Sequence, residues 1–116
     1  VLGFHFSKWA PVSADMVTER SQNFTKFGFP VDVLWMDIEH ALYTDLETAE
    51  TRDYRWFSLN PFNYTRNSLE ALKAEMVTAQ RRLVTIIDPH IQANDDYFVY
   101  SDGMQLQESE WREGDS

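Results

Sequence analysis

Apolar and polar positions divide the chain into segments of different period. Leu2 to Phe6 is a short apolar stretch that closes in Ser7-Lys8-Trp9, a pattern compatible with a buried strand. Pro11 and Ser13 interrupt it. Ser13 suits an N-cap, Asp15 suits the positive end of a helix dipole, and Met16, Val17, Phe24 and Phe27 recur near one helical face. That spacing predicts a first helix, which Gly28 and Pro30 end. Val31 to Met36 is then almost continuously apolar, as expected of a covered parallel strand, and it breaks off at Asp37-Ile38-Glu39-His40. Residues 41–65 sustain no period. They read as a long, partly acidic loop holding Asp45, Glu47, Glu50 and Asp53, with aromatic anchors at Tyr54, Trp56, Phe57 and Phe62.

A second helix follows, capped by Asn67 with Glu70 three residues on, and striped by Leu69, Leu72, Met76 and Val77. Arg81 and Arg82 stand at its negative end. The β-branched run Leu83-Val84-Thr85-Ile86-Ile87 predicts a third strand, which closes in Asp88-Pro89-His90. Residues 92–116 read as an acidic loop region, with Asp102, Glu108, Glu110, Glu113 and Asp115 opposed in its last part by Arg112 alone. The order is strand, helix, strand, helix, strand. Two such βα units with right-handed crossovers make a parallel sheet with helices outside, which fits either a barrel or an open sheet. An open dinucleotide-binding sheet would carry a glycine-rich turn after its first strand, and Ser7-Lys8-Trp9-Ala10-Pro11 has no glycine.

Composition narrows the function classes. The 116 residues are 43% hydrophobic and 15% aromatic, with no cysteine and a net charge of −9, so one globular domain at most is expected. The acidic balance argues against nucleic-acid binding, which needs clustered basic side chains; Arg81-Arg82 is explained as a helix-end feature. Cysteine-ligated metal sites and disulfides are excluded. No run approaches the ~20 apolar residues of a membrane helix. The start, Val-Leu-Gly-Phe-His, has no initiator methionine or signal-peptide pattern, so an internal piece of a longer protein is expected.

In parallel α/β folds the carboxyl ends of the strands reach one rim, so Trp9, Asp37 and Asp88 are expected to converge. Asp37, Glu39, His40, Asp88 and His90 could serve a metal-dependent hydrolase, but hydrogen-bonded loop residues explain them as simply. Strand alternation would put Asp37 and Glu39 on one side and His40 on the other. The sharper reading is a carboxylate that accepts hydrogen bonds from sugar hydroxyls while a tryptophan or isoleucine covers the ring. Asp37 and Asp88 could also be proposed as a pair of glycosidic carboxylates, with substrate orientation or loop anchoring as the plainer alternative. Trp35, within the strand run, is expected in the core, and Met16 and Met76 in helix packing. Asn23-Phe24-Thr25 and Asn63-Tyr64-Thr65 are N-glycosylation sequons, Asn23 the weaker because it precedes a core residue within a helix.

Three ordered motifs carry a family resemblance: Leu2-Gly3-Phe4-His5-Phe6-Ser7-Lys8-Trp9, Asp32-Val33-Leu34-Trp35-Met36-Asp37-Ile38-Glu39-His40, and Arg82 to Ile91 with Asp88-Pro89-His90-Ile91 at its end. Together they resemble the family 31 glycoside hydrolases, over nearly the whole chain. The Asp-Ile-Glu-His and Asp-Pro-His-Ile forms are most similar to the branch that trims glucose from N-glycans in the endoplasmic-reticulum lumen. The resemblance implies a retaining α-glucosidase on a (β/α)₈ TIM barrel, with residues 1–116 as the N-terminal part of that domain: its first three parallel strands and two intervening helices. It also implies no cofactor and no metal. The partners implied are an α-linked glucosyl oligosaccharide, the remainder of the barrel and a candidate regulatory β subunit.

By the same resemblance Trp9 lines the glucose subsite, Asp37 binds distal glucose hydroxyls, and Ile38 and Ile86 form apolar walls. His40, Asp88 and His90 are candidate supports. None of these is the chemical catalyst. The family's nucleophile lies in a Trp-x-Asp-Met-Asn-Glu-like motif, absent here, and its acid/base aspartate lies further on. Where that branch usually carries Gln-Cys-Arg-Trp, this chain has Phe6-Ser7-Lys8-Trp9, and lysine does not reproduce arginine's planar fork. A non-catalytic carbohydrate-binding or assembly module on the same barrel is the alternative from a different class.

Overall fold

A computed structural model of the chain describes residues 2–9, 13–44 and 51–114, with the side chains of 44, 51–53 and 108–114 left aside. Pro11, Asp45, Glu47, Glu50 and Asp115, and the side chains of Asp53, Glu108, Glu110, Arg112 and Glu113, therefore lie outside the described residues. The elements are β1 (His5–Phe6), α1 (Ala14–Lys26), β2 (Val33–Met36), a 3₁₀ turn (Ile38–Ala41), β3 (Leu42–Thr44), β4 (Thr51–Tyr54), α2 (Arg66–Thr78), β5 (Arg82–Thr85) and α3 (Phe98–Gly114). Strands β1, β2 and β5 form one parallel sheet with β2 in the middle, and β3 pairs antiparallel with β4. Three parallel strands and the two helices that cross between them make the two βα units that the resemblance to a (β/α)₈ barrel implies.

The register is His5 to Val33 and Phe6 to Leu34 on one edge of β2, and Val33 to Arg82 through Met36 to Thr85 on the other. Leu34 and Met36 pack with Ala14 and Val17 of α1 and Leu72 and Met76 of α2. Phe6, Phe24, Leu69 and Leu83 close this layer. Because side chains alternate along a strand, His5, Val33, Trp35, Arg82 and Val84 belong to the face away from the helices, which becomes the interior where such a sheet closes into a barrel. Trp35 is accordingly half-buried and outside the helix-facing core, and its Nε1 donates to His5 Nδ1 at 3.0 Å. Its place in the strand, rather than its hydrophobicity, decides this.

Both crossover helices end in the same hydrogen-bonded motif. In α1, Gly28 N–H donates to Thr25 O and Phe29 N–H to Phe24 O, with Gly28 at φ +68. Phe29 then rests edge-on near Phe24, ring centroids 6.4 Å apart. In α2, Gln80 N–H donates to Val77 O and Arg81 N–H to Met76 O, but the left-handed position is held by Gln80 at φ +53. A side chain there is disfavoured where glycine is not. Gly3, at φ +125, is needed for space as well: an added Cβ would run into the Asp32 side chain, whose Oδ2 accepts from Phe4 N at 2.8 Å.

The helices are locked to each other by a buried cation. Arg81 Nη1 donates to Ser21 O, Ser21 Oγ and Thr25 Oγ1, and Nε donates to Val31 O. Glu75 Oε1 accepts from Ser21 Oγ at 2.7 Å and lies 3.9 Å from the guanidinium. Arg81 is thus a clamp between α1, α2 and the entry to β2, not a helix-end charge, and Arg82 is the first residue of β5.

Several sequence expectations change. Residues 41–65 are not one loop: they contain the end of the 3₁₀ turn and the β3–β4 hairpin. Strands of three and four residues with an irregular register offer too few alternating positions for a period. Within 92–116, expected as a loop region, Phe98–Gly114 forms helix α3. Its Gln, Leu, Met and Glu residues favour a helix by propensity without drawing an apolar stripe. The N-cap of α2 is Thr65, whose Oγ1 accepts from Ser68 N, rather than Asn67. Ser13 caps α1 as expected, accepting from Met16 N. Met16 and Phe27 are exposed, so the buried face of α1 is Ala14, Val17 and Ser21. Among the described residues no helix is long and apolar enough to cross a membrane.

Two stability outcomes follow, both measurable by denaturant unfolding. Arg81→Met should destabilise the protein by ~3 kcal/mol, because it removes the donors to Val31 O and Ser21 and leaves the Glu75 carboxylate without its nearby cation. Gln80→Gly should stabilise it by ~0.5–1 kcal/mol by relieving the left-handed strain.

Candidate functional site

The carboxyl ends of β1, β2 and β5 open on one rim. Continuing the alternation of β2 by one residue puts Asp37 on the interior side with Val33 and Trp35, and continuing β5 puts Ile86 there too. The two are next to each other in the sheet, since Ile86 N–H donates to Met36 O at 3.2 Å. Trp9 follows β1 by three residues and is 74% exposed.

Asp37 is half-buried and caps the 3₁₀ turn, its Oδ1 accepting from Ile38 N at 2.8 Å. Oδ2 has no partner among the described residues. The turn explains the lie of the next residues. Strand alternation stops at Asp37, so Glu39 and His40 are both buried instead of taking opposite sides. His40 Nδ1 lies 2.6 Å from Asp37 O, so that nitrogen carries the proton and the ring braces the backbone of Asp37 from behind.

Trp56 joins the two strand ends. Fully buried, it lies 6.0 Å from the His40 ring, 5.6 Å edge-on from the His90 ring, and stacks on Tyr54 at 6.0 Å. Its carbonyl accepts from Tyr97 Oη at 2.6 Å. Its neighbour Arg55 is buried too, donating to Gln92 Oε1 and Asp96 Oδ1 and lying over Tyr43 with 3.7 Å from Cζ to the ring centroid. The hairpin after β2 is thereby fastened to the segment after β5. Of the four aromatic anchors expected in this region, Trp56 and Tyr54 serve as such, while Phe57 and Phe62 are exposed.

Asp88 is half-buried, and His90 is exposed with one edge on Trp56. Sequence reasoning identified Trp56 only as a loop aromatic. The signal available was the density of aromatic residues between Tyr54 and Phe62, without a period to say which ring turns inward. Among the described residues no group of three His, Cys, Asp or Glu side chains is arranged to hold a metal ion.

Two buried atoms, Glu39 Oε2 and Trp56 Nε1, have no hydrogen-bond partner among the described residues. A buried polar atom left without any partner costs ~1–3 kcal/mol. Burial pushes the Tyr64 phenol up from 10.0 to about 12, the Glu39 charge adding to the rise and Arg20 opposing it. The folded state thus holds the Tyr64 proton more tightly than the unfolded chain. The corresponding stability is intact below pH 10.0 and lost as pH rises towards about 12. Unfolding measured across that window should show a falling stability that Tyr64→Phe makes shallower.

The profile described as Glycosyl hydrolases family 31 TIM-barrel domain matches residues 1–112. Human Neutral alpha-glucosidase AB is 35% identical over 103 residues, which are 87% of this chain and 9% of that protein. The Probable glucan 1,3-alpha-glucosidase of Arabidopsis thaliana is 31% identical over 104 residues, 90% of this chain and 10% of that protein. A crystal structure of the ER glucosidase II heterodimeric complex, catalytic subunit with the binding domain of the regulatory subunit, superimposes with a TM-score of 0.69 at 31% identity. It covers 92% of this chain and 10% of that one. This chain spans a tenth or less of the length of the curated relatives just described.

Proposed function

This chain belongs to glycosyl hydrolases family 31, and from that premise we propose that it is the N-terminal part of the catalytic barrel of a retaining α-glucosidase, supplying contacts to glucose. The observation that carries this reading is the setting of Asp37. One carboxylate oxygen is held by Ile38 N–H and the other is left for a ligand, beside the strand end that carries Ile86.

An ionised carboxylate accepts short, strong hydrogen bonds from hydroxyl groups, and its aim is set beforehand by the Ile38 amide and the braced backbone. Trp9 covers the apolar face of the ring, and Ile38 and Ile86 wall the pocket against water. His40 and His90, held against Trp56, support this rim from two strand ends, and Asp88 stands at the same end of β5. The nucleophile and the acid/base are carboxylates outside these residues. For retention they flank the scissile bond at ~5–5.5 Å. No cofactor or metal enters this chemistry.

The substrate class is a glucosylated N-glycan oligosaccharide. This finer reading rests on Asp37-Ile38-Glu39-His40 and Asp88-Pro89-His90-Ile91, and on relatives named Neutral alpha-glucosidase AB and Glucosidase 2 subunit alpha. A regulatory subunit as partner and the endoplasmic-reticulum lumen as compartment belong to the same reading, from the naming of the similar complex.

In the full-length enzyme, Asp37→Ala should lower kcat/KM on an α-glucoside by ~2–4 kcal/mol of transition-state stabilisation. Steady-state kinetics test this, and an unchanged kcat/KM would contradict the role given to Asp37. Glucose release measured on glucosylated N-glycans against maltose tests the substrate class.

A further inference from the structure

Two sequons are left over by the site, and the fold treats them differently. Asn23 lies inside α1, where its carbonyl accepts from Phe27 N and its side chain borders a shallow apolar cleft with Phe24, Phe27 and Phe29. The sequon hydroxyls do not separate the two sites, Thr25 bonding Ser21 O and Arg81 Nη1 and Thr65 bonding Ser68, and both asparagines are exposed; the difference is that Asn23 sits within a continuous helix.

Asn63 lies outside any helix, in the turn that leads into α2, and it is exposed. Its backbone is satisfied on both sides: N–H donates to Asn60 Oδ1 at 3.2 Å and the carbonyl accepts from Ala14 N at 3.0 Å. Its side-chain amide makes no hydrogen bond among the described residues. The next residue, Tyr64, is buried in the core, so the turn is anchored on one side and presents Asn63 on the other. The amide is thus held out to solvent on a fixed turn and carries no packing duty of its own.

We propose that Asn63 is an N-glycosylation acceptor and that Asn23 is not. The reaction joins the Asn63 side-chain nitrogen to C1 of an oligosaccharide carried on a polyprenyl diphosphate. The N–C1 bond forms as the C1–O bond to the diphosphate breaks, and the amide loses one proton while the polyprenyl diphosphate departs. A chain modified there carries its glycan beside the mouth of the barrel, because the segment before α2 is tied to the Asp37 turn by Asn60 N–H to His40 O at 3.0 Å. The proposal rests on the lumenal compartment proposed above.

The test expresses the full-length protein with its own targeting signal and an appended reporter sequon in a eukaryotic cell. Peptides are read by mass spectrometry after enzymatic deglycosylation in heavy-oxygen water. The expected result is label at Asn63, none at Asn23, loss of the Asn63 label in Asn63→Gln, and unchanged kcat/KM of that variant on a small chromogenic α-glucoside. Thr65→Ser, which keeps both the sequon and a capping hydroxyl, should retain label. A labelled reporter with an unlabelled Asn63 overturns the proposal and leaves the enzyme reading intact. An unlabelled reporter overturns the lumenal compartment, and the proposal falls with it.

Discussion

Strand β2 is hydrogen-bonded in parallel on both edges and is packed on its helix-facing side by Leu34 and Met36. A slip of one residue would turn both side chains out of the helical layer and swing Asp37 to the wrong face. Burial of the core and aim of the carboxylate are therefore one constraint. The helices secure the register from outside, because Arg81 reaches Val31 O at the entry to β2 while it bonds α1 through Ser21. Charge deep between helices is tolerable here because Nε and Nη1 find carbonyl and hydroxyl acceptors and Glu75 lies 3.9 Å from the guanidinium.

The rim is organised from the other end. A parallel strand has no hairpin to carry its successor, so the segments that leave β2 and β5 need a separate joint. Trp56 supplies it, with His40 on one side and His90 on the other, and Arg55 extends it to Asp96 just ahead of α3. The Trp56 indole nitrogen and one Glu39 oxygen at this joint have no partner among the described residues.

Membership of family 31 and the geometry of Asp37 meet at the same point. The family match explains why the chain is built of βα units. The geometry leaves Asp37, at the end of β2, with one carboxylate oxygen held by Ile38 N–H and the other without a partner among the described residues.

The sequence by itself determined the order of the parallel elements, the capping of α1 by Ser13, the polar break at Asp37 and the three motifs that resemble family 31. These features are local: they depend on runs, caps and spacings that a chain carries before it folds. Only tertiary structure decided that Trp35 faces the barrel interior and that Arg81 is buried. It also decided that Trp56 turns inward while Phe57 and Phe62 stay exposed, and that Leu42–Thr44 pairs antiparallel with Thr51–Tyr54. Each of those depends on which distant segment lies alongside, and no period within the segment records its neighbour.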